Sequence, residues 1–231
     1  MNYDMFIAGA LGFGPAVILM YYTLKDYTYP AVEKPFFEDR KAFGIFAVGL
    51  VIGTIIYSIQ TWFSMTLLLV ALIFAVLEEL VKLVILNFPR FQGKLDTSFY
   101  GITLGLGIGA TMGFGAVYIT IGQLGDLTAS AWAVLIVIAA QFVLLHGANG
   151  MLIGIGVARK MPWPYFAQAV LVHLAYNMLM IPFFTGDELL GYPLFILATI
   201  ILVLSYYQAW KRFLPDLIRT EVSRFEKRTK G

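Results

Sequence analysis

Three charged residues interrupt a long apolar stretch, AVLEELVKLVIL, at residues 75–86. Lys82 follows Glu78 by four residues, the spacing of a favourable ion pair within one helix, and its long side chain could extend toward a polar surface. That interpretation gives the pair no function. It also leaves the adjacent Glu79 without a partner among apolar residues, so both glutamates are candidates for proton transfer to and from water.

The chain has two histidines, His146 and His173, both in apolar surroundings, and Asn177 follows His173 by one helical turn. Histidine can bind a metal ion or move a proton, and an amide can donate a hydrogen bond to a developing oxyanion. With glutamate, these groups suit a hydrolase that activates water. The water is polarised either by Zn²⁺ held by both histidines and a glutamate, which we assign as Glu79, or by glutamate and histidine alone.

Other hydrolytic chemistries find little support in the sequence. The chain has no cysteine, which excludes thiol catalysis. None of its serines has a G-x-S-x-G setting or lies near a histidine in sequence, and no H-E-x-x-H zinc motif is present. Glutamate, histidine and asparagine therefore remain as the reactive groups.

The elements that must position these residues are membrane-spanning helices. Hydrophobic residues make up 60% of the 231 residues and charged residues only 13%. Because a soluble domain of this size could not bury so much apolar surface, the composition predicts an all-α polytopic membrane helix bundle, with one domain over residues 1–231. Seven apolar segments are long enough to span a bilayer: 4–24, 42–60, 63–86, 98–123, 129–158, 163–184 and 188–210.

The distribution of Lys and Arg predicts the orientation of the bundle. Outside the spans these residues lie in or beside the first, third and fifth connections and in the C-terminal tail, whereas the second, fourth and sixth connections have none. The positive-inside rule then makes the N-terminus extracytoplasmic and the C-terminus cytoplasmic, in a cell membrane. The tail, residues 210–231, alternates apolar and basic residues as an interfacial amphipathic helix does, which favours anionic lipid over nucleic acid as its partner.

The rise of a helix places the candidate residues at a similar depth. At 1.5 Å per residue, both glutamates and both histidines lie roughly 10–20 Å from the cytoplasmic ends of their spans. Ionisable groups inside a bilayer are costly and usually functional, so their presence at one level in three spans predicts a shared site. From this depth we expect a polar cavity that opens to the cytoplasm.

The chain also resembles a known group of enzymes, the PrsW group of membrane-embedded proteases, within the superfamily of CAAX-processing and bacteriocin-protection (ABI) proteins. Four blocks carry the resemblance over residues 77–178: LEELVK, DTSFYG, LHGANGMLIGIG and LVHLAYN. It implies endoproteolysis of a membrane-associated protein or peptide. It also implies that Glu78 activates water, that Glu79 orients the site and that His146 binds or polarises the water. His173 and Asn177 would stabilise the oxyanion or bind a metal.

One span departs from the PrsW pattern, whose members tend to carry a glutamate near the position of Met112. The span instead repeats glycine every four residues, a pattern suited to close helix packing: Gly101, Gly105, Gly109 and Gly113. Asn177 stands where PrsW relatives often have an acid and is more like the CAAX-processing enzymes. Asp96, at the start of the glycine-rich span, is expected to cap that helix.

A different class of function stays open on the same residues. A proton- or ion-coupled transporter would use the buried glutamates and histidines as a proton relay. Against it, the second half of the chain does not repeat the first, as it does in many carriers, and no polar ladder reaches the outer face. The expected partners are therefore a membrane-associated substrate and the lipid bilayer, with no nucleic acid.

Overall fold

The computed structural model describes residues 3–125 and 127–229, with side chains as far as Ser223. Within these residues the fold is all-α, as predicted, and contains no strand. A 3₁₀ turn, Lys25–Tyr27, follows the first helix, and a π-helical turn, Ala209–Phe213, joins the last two. The helices are α1 (Tyr3–Leu24), α2 (Asp39–Gln60), α3 (Leu68–Leu86), α4 (Asp96–Leu124), α5 (Ala129–Ala158), α6 (Pro162–Phe184), α7 (Gly191–Gln208) and α8 (Leu214–Thr229).

Six helical segments of the described chain are long and apolar enough to cross a membrane, in agreement with the predicted polytopic bundle. They are α1 with its following turn, α2, α4, α5, α6 and the continuous helix from α7 into α8. The remaining predicted span, α3, has 19 residues and contains all three charged residues of the 75–86 stretch. It begins at Leu68 rather than at residue 63, since the preceding residues form turns in which the Ser64 and Thr66 hydroxyls hydrogen-bond to each other.

Helix α4 lies at the centre of the bundle and packs against α1, α2 and, most extensively, α5. Its glycines allow this closeness. A Cβ atom at Gly101 would meet the carbonyl oxygen of Gly150, and one at Gly105 would meet the carbonyl oxygen of His146. The predicted packing role of the glycine stripe is confirmed, and the contact at Gly105 holds the backbone of a candidate site residue.

Helix α3 lies at the periphery and packs chiefly against α6. One face is exposed, as expected of a lipid-facing surface, and includes Leu69 and Val84. The buried face combines apolar residues, both small and large, with the three charged ones. Helix α3 therefore turns its costly groups toward the protein interior, where other helices can supply hydrogen bonds.

The predicted amphipathic tail begins as a continuation of α7, and its first apolar residues pack on the protein. Leu214 and Leu217 are fully buried. Arg159, just after α5, forms an ion pair with Asp216 of α8 at 2.6 Å. The start of the tail is thus docked on the bundle rather than on lipid. Residues 230 and 231, which the prediction also included, lie outside the described residues.

The predicted capping role of Asp96 is wrong. Leu95 occupies the N-cap position of α4, Asp96 is the first residue of the helix, and no side chain caps the first turn. The carboxylate still lies at the positive end of the helix dipole, where a negative charge is favourable. Its Oδ1 atom is buried and has no hydrogen-bond partner among the described residues.

Candidate functional site

Four of the five residues selected from the sequence meet in one buried cluster. Glu78 and Glu79 come from α3, His146 from α5 and His173 from α6, and none is more than 3% exposed. The two imidazole rings lie edge to face with their centroids 5.4 Å apart. Three helices therefore bring together ionisable groups that a single apolar helix could not accommodate in a bilayer.

Glu79 is the most heavily hydrogen-bonded member of the cluster. Its Oε1 atom accepts hydrogen bonds from Lys82 Nζ at 2.7 Å, from Asn149 Nδ2 at 3.0 Å and from His173 Nδ1 at 2.7 Å. Such bonds are what makes a buried carboxylate tolerable. They also orient His173, because a proton donated from Nδ1 leaves the lone pair of a neutral ring on Nε2.

Lys82 does not extend to a polar surface. It is fully buried, and its ion pair is formed with Glu79 rather than with Glu78. Its ammonium also lies 3.0 Å from His146 Nδ1. The ion pair suggested by the sequence spacing therefore has a different carboxylate, and Lys82 belongs to the cluster because it links α3 to α5.

Glu78, like Glu79, has one engaged oxygen and one unengaged oxygen. Its Oε1 atom accepts a hydrogen bond from Gln60 Nε2 of α2 at 2.6 Å. Its Oε2 atom lies 3.5 Å from His146 Nε2 and 3.9 Å from His173 Nε2. Both Glu78 Oε2 and His146 Nε2 are buried without a hydrogen-bond partner among the described residues. Buried polar atoms without partners are rare in folded proteins, so this point is where a water, a proton or an ion is needed.

Glu78, His146 and His173 form a group that could hold a metal ion, since one ligand atom from each lies within 4.8 Å of the others. The ligand atoms of a tetrahedral zinc site are roughly 3.3–3.5 Å apart, given zinc–ligand bonds near 2.0–2.1 Å, and the Glu78–His146 distance of 3.5 Å matches that spacing. The ligand set differs from the predicted one in its carboxylate. Glu79 contacts the other nitrogen of His173 instead, as a carboxylate behind a metal-binding histidine commonly does.

One contact opposes a metal at this point. A charged Lys82 donates to His146 Nδ1, and a neutral imidazole that accepts at Nδ1 carries its proton on Nε2. A metal ion at His146 Nε2 would have to displace that proton. The charges of the cluster still favour one added cation: two carboxylates against one ammonium leave one negative charge, which a proton or a metal ion offsets.

A cavity of about 380 Å³ reaches Glu78 and His173. Its walls include Thr61 and Thr66 from the α2–α3 connection and Phe184 from the last turn of α6. The cavity therefore extends toward the end of the bundle at which α2 and α6 finish. This end carries no Lys or Arg in its connections and is the extracytoplasmic end on the predicted orientation. On that orientation the cavity opens on the side opposite to the expected cytoplasmic one.

Asn177, the fifth selected residue, lies in the cavity wall but does not contact the glutamates. Its Nδ2 atom donates a hydrogen bond to the backbone carbonyl of Ala71 at 3.1 Å, which ties α6 to α3. Tyr176 beside it also lines the cavity, and its hydroxyl donates to Gln141 Oε1 at 3.2 Å. Met112, at the position where the resemblance leads one to expect a glutamate, is another wall residue.

Sequence reasoning missed two members of the site, Asn149 and Gln60. Asn149 follows His146 by three residues and so shares its helix face, a spacing that could have revealed it. Gln60 is the last residue of α2 and resembles any polar residue at the end of a span. Only the tertiary fold brings its amide to Glu78.

Comparison with models of protein families, with curated proteins and with solved structures finds no match to this chain.

Proposed function

We propose that this chain is an intramembrane endopeptidase in which Glu78 activates a water molecule. The observation that carries the proposal is the pair of unengaged atoms, Glu78 Oε2 and His146 Nε2, facing each other at 3.5 Å beside a cavity within an apolar bundle. A general base needs a free lone pair within reach of water. The resemblance of the four sequence blocks to PrsW-like proteases supports the same reaction.

The hydrolytic step follows from the positions of these atoms. Glu78 Oε2 takes a proton from water while the water oxygen forms a bond to the peptide carbonyl carbon, and the carbonyl electron pair moves onto its oxygen. His146 Nε2–H donates a hydrogen bond to that oxyanion. When the oxyanion collapses, the C–N bond breaks and the proton held by Glu78 passes to the leaving amine. The products are one carboxylic acid and one amine, and transfer of the acid proton to the amine gives a carboxylate and an ammonium.

Glu79 and Lys82 position the reacting groups rather than touch the substrate. Glu79 holds His173 by its Nδ1 atom, and Lys82 fixes the His146 ring. If a metal ion binds, Glu78, His146 and His173 hold it, and it supplies polarisation of water at neutral pH. Zn²⁺ is the ion whose preferred ligands match these residues.

The substrate we propose is a membrane-associated protein or peptide with a locally unwound segment. Peptide bonds within a spanning helix are shielded by their own hydrogen bonds, and hydrocarbon supplies no water. The cavity wall is largely apolar, with Phe63, Met112 and Phe142 among its residues. Such a wall suits an apolar side chain beside the scissile bond.

We propose an orientation in which the cavity faces the extracytoplasmic side, with the N-terminus outside and the C-terminus in the cytoplasm. The arrangement of Lys and Arg supports it. Single cysteines placed at Thr61 and Gly186 of this cysteine-free chain should react with an impermeant thiol reagent from outside intact cells. Cysteines at Gln92 and Met161 should react only after lysis. The reverse pattern would contradict the proposed orientation.

The reaction is tested with purified protein in liposomes and a single-span reporter that carries one cleavable sequence at stepped depths. Products are mapped by mass spectrometry. We expect cleavage in the half of the membrane that contains the cavity, and none with Glu78→Gln. Glu38→Gln, an exposed glutamate outside the site, is the matched control and should cleave normally. Proton or ion flux through the liposomes without any cleavage would favour the transporter instead.

A further inference from the structure

A second cavity, of about 330 Å³, lies at the basic end of the bundle, opposite the candidate active site. It is enclosed by the first turns of α2, the α3–α4 connection and the start of α4. Its polar lining residues are Lys41, Arg90, Lys94, Asp96 and Tyr100, and Ile45 and Val48 of α2 form its apolar side. A cavity with a charged mouth and an apolar side, at the end of the spans, lies where lipid headgroups meet hydrocarbon.

The charge of this cavity is positive. Three cations face one carboxylate in its lining. Lys41 is paired with Glu38 at 2.6 Å, but within the described residues neither Arg90 nor Lys94 has a carboxylate within ion-pair distance. The Arg90 guanidinium lies over the Phe91 ring, 4.6 Å from the centroid, and Phe91 is buried. A guanidinium and an ammonium that line the same cavity suit a phosphate group.

The carboxylate of Asp96, in the same cavity, needs a hydrogen-bond donor. Asp96 Oδ1 is buried and has no hydrogen-bond partner within the described residues. A phosphate oxygen cannot satisfy it, because both atoms are acceptors. A hydroxyl group can. The occupant should therefore combine a phosphate with a hydroxyl a few bonds away and should carry an apolar chain.

We propose that this cavity binds the headgroup of an anionic phospholipid of the phosphatidylglycerol type. Arg90 and Lys94 bind the phosphate, and Asp96 accepts a hydrogen bond from a glycerol hydroxyl. One acyl chain lies along the apolar side of α2, which continues from Val48 to the exposed Val51 and Ile55. A zwitterionic ethanolamine lipid would also offer a donor to Asp96, but the excess of positive charge favours the anionic headgroup.

Native mass spectrometry of the full-length protein, in micelles doped with a defined lipid, tests the proposal. Phosphatidylglycerol should be retained in preference to phosphatidylethanolamine, and Arg90→Gln with Lys94→Gln should weaken its retention roughly 20-fold or more. Lys25→Gln with Lys34→Gln removes the same charge from the same end of the bundle and should change retention less than twofold. Equal losses in the two double variants, or equal retention of phosphatidylethanolamine, would overturn the proposal.

A second variant leaves every charge in place. Gly44 lines the cavity, and a Cβ atom there would meet no other atom within 4 Å, so Gly44→Leu should fold and fill the space. It should abolish specific retention of phosphatidylglycerol. Gly122, equally open at the other end of α4, provides the control Gly122→Leu, which should retain the lipid. Free glycerol phosphate should not compete at millimolar concentration, and tight binding of it would indicate a site for soluble phosphate instead.

Discussion

Two sides of the bundle are built in opposite ways. Where α4 meets α5, the backbones touch through glycine and nothing larger than a hydrogen atom fits. Where α3 meets α6, charged side chains meet beside a cavity of about 380 Å³. His146 stands on the close-packed side, with its backbone held against Gly105. It is thus a fixed point toward which α3 brings Glu78.

The largest effect is expected from the reacting residues. Glu78→Gln and His146→Ala should each lower the cleavage rate by on the order of 10³-fold or more, because both act in the same step. The double variant should be no worse than either single one, since groups acting as a unit are non-additive. The measurement is the initial rate on the single-span reporter. If the fold-losses in cleavage rate of the two single variants multiplied in the double variant, Glu78 and His146 would act independently, which would contradict the proposed step.

Much of this arrangement could be predicted from the sequence, and the remainder depends on packing. Apolar run lengths identify the spans, and the four-residue glycine spacing indicates that α4 packs closely against a neighbouring helix. Burial of Glu79 among apolar residues indicates a site. Which glutamate pairs with Lys82 depends on side-chain conformers, and the side of the cavity depends on how α3 rotates against α6. Neither the partner of Lys82 nor the side of the cavity can be predicted from residue spacing along the chain.

The second-largest effect concerns the charge balance of the buried cluster where α3 meets α6. Lys82→Met should lower the free energy of unfolding by about 3–5 kcal/mol, because it leaves Glu79 buried without its ion pair. Adding Glu79→Gln should restore part of that loss. Lys34→Met, at an exposed lysine, is the control and should have little effect. Thermal unfolding in one detergent measures all three. A fully stable Lys82→Met protein would mean that Glu79 is not ionised.

A smaller loss is expected on the close-packed side. Gly105→Ala should destabilise the protein by roughly 1–3 kcal/mol, because the added methyl group meets the His146 carbonyl and the neighbouring Gly147 backbone, and the helices must separate. It should also lower the cleavage rate by moving the His146 ring. Gly122→Ala adds the same methyl group where no atom lies within 4 Å and should be neutral or slightly stabilising. Equal losses of stability in Gly105→Ala and Gly122→Ala would contradict the close packing of α4 against α5 at Gly105.

The smallest effect distinguishes two asparagines near the cluster. Asn149 donates to the carboxylate of Glu79, and hydrogen bonds to charged groups contribute about 1.5–3 kcal/mol. Asn177 donates to the neutral carbonyl of Ala71, a bond that contributes about 0.5–1.5 kcal/mol. Asn177→Ala should therefore lower stability less than Asn149→Ala does.

Cleavage rates measured on the same variants distinguish a structural role of each asparagine from a role in the reaction. The Asn177 amide already has an acceptor in Ala71 and does not contact Glu78, so Asn177→Ala should keep the rate within roughly tenfold of the unaltered protein, whereas loss of an oxyanion donor costs on the order of 10²–10³ in rate. Asn149→Ala should slow cleavage more, because it frees the carboxylate that orients His173. A hundredfold or greater loss confined to Asn177→Ala, with stability unchanged, would instead give Asn177 the oxyanion role and require α6 to shift toward Glu78 when substrate binds.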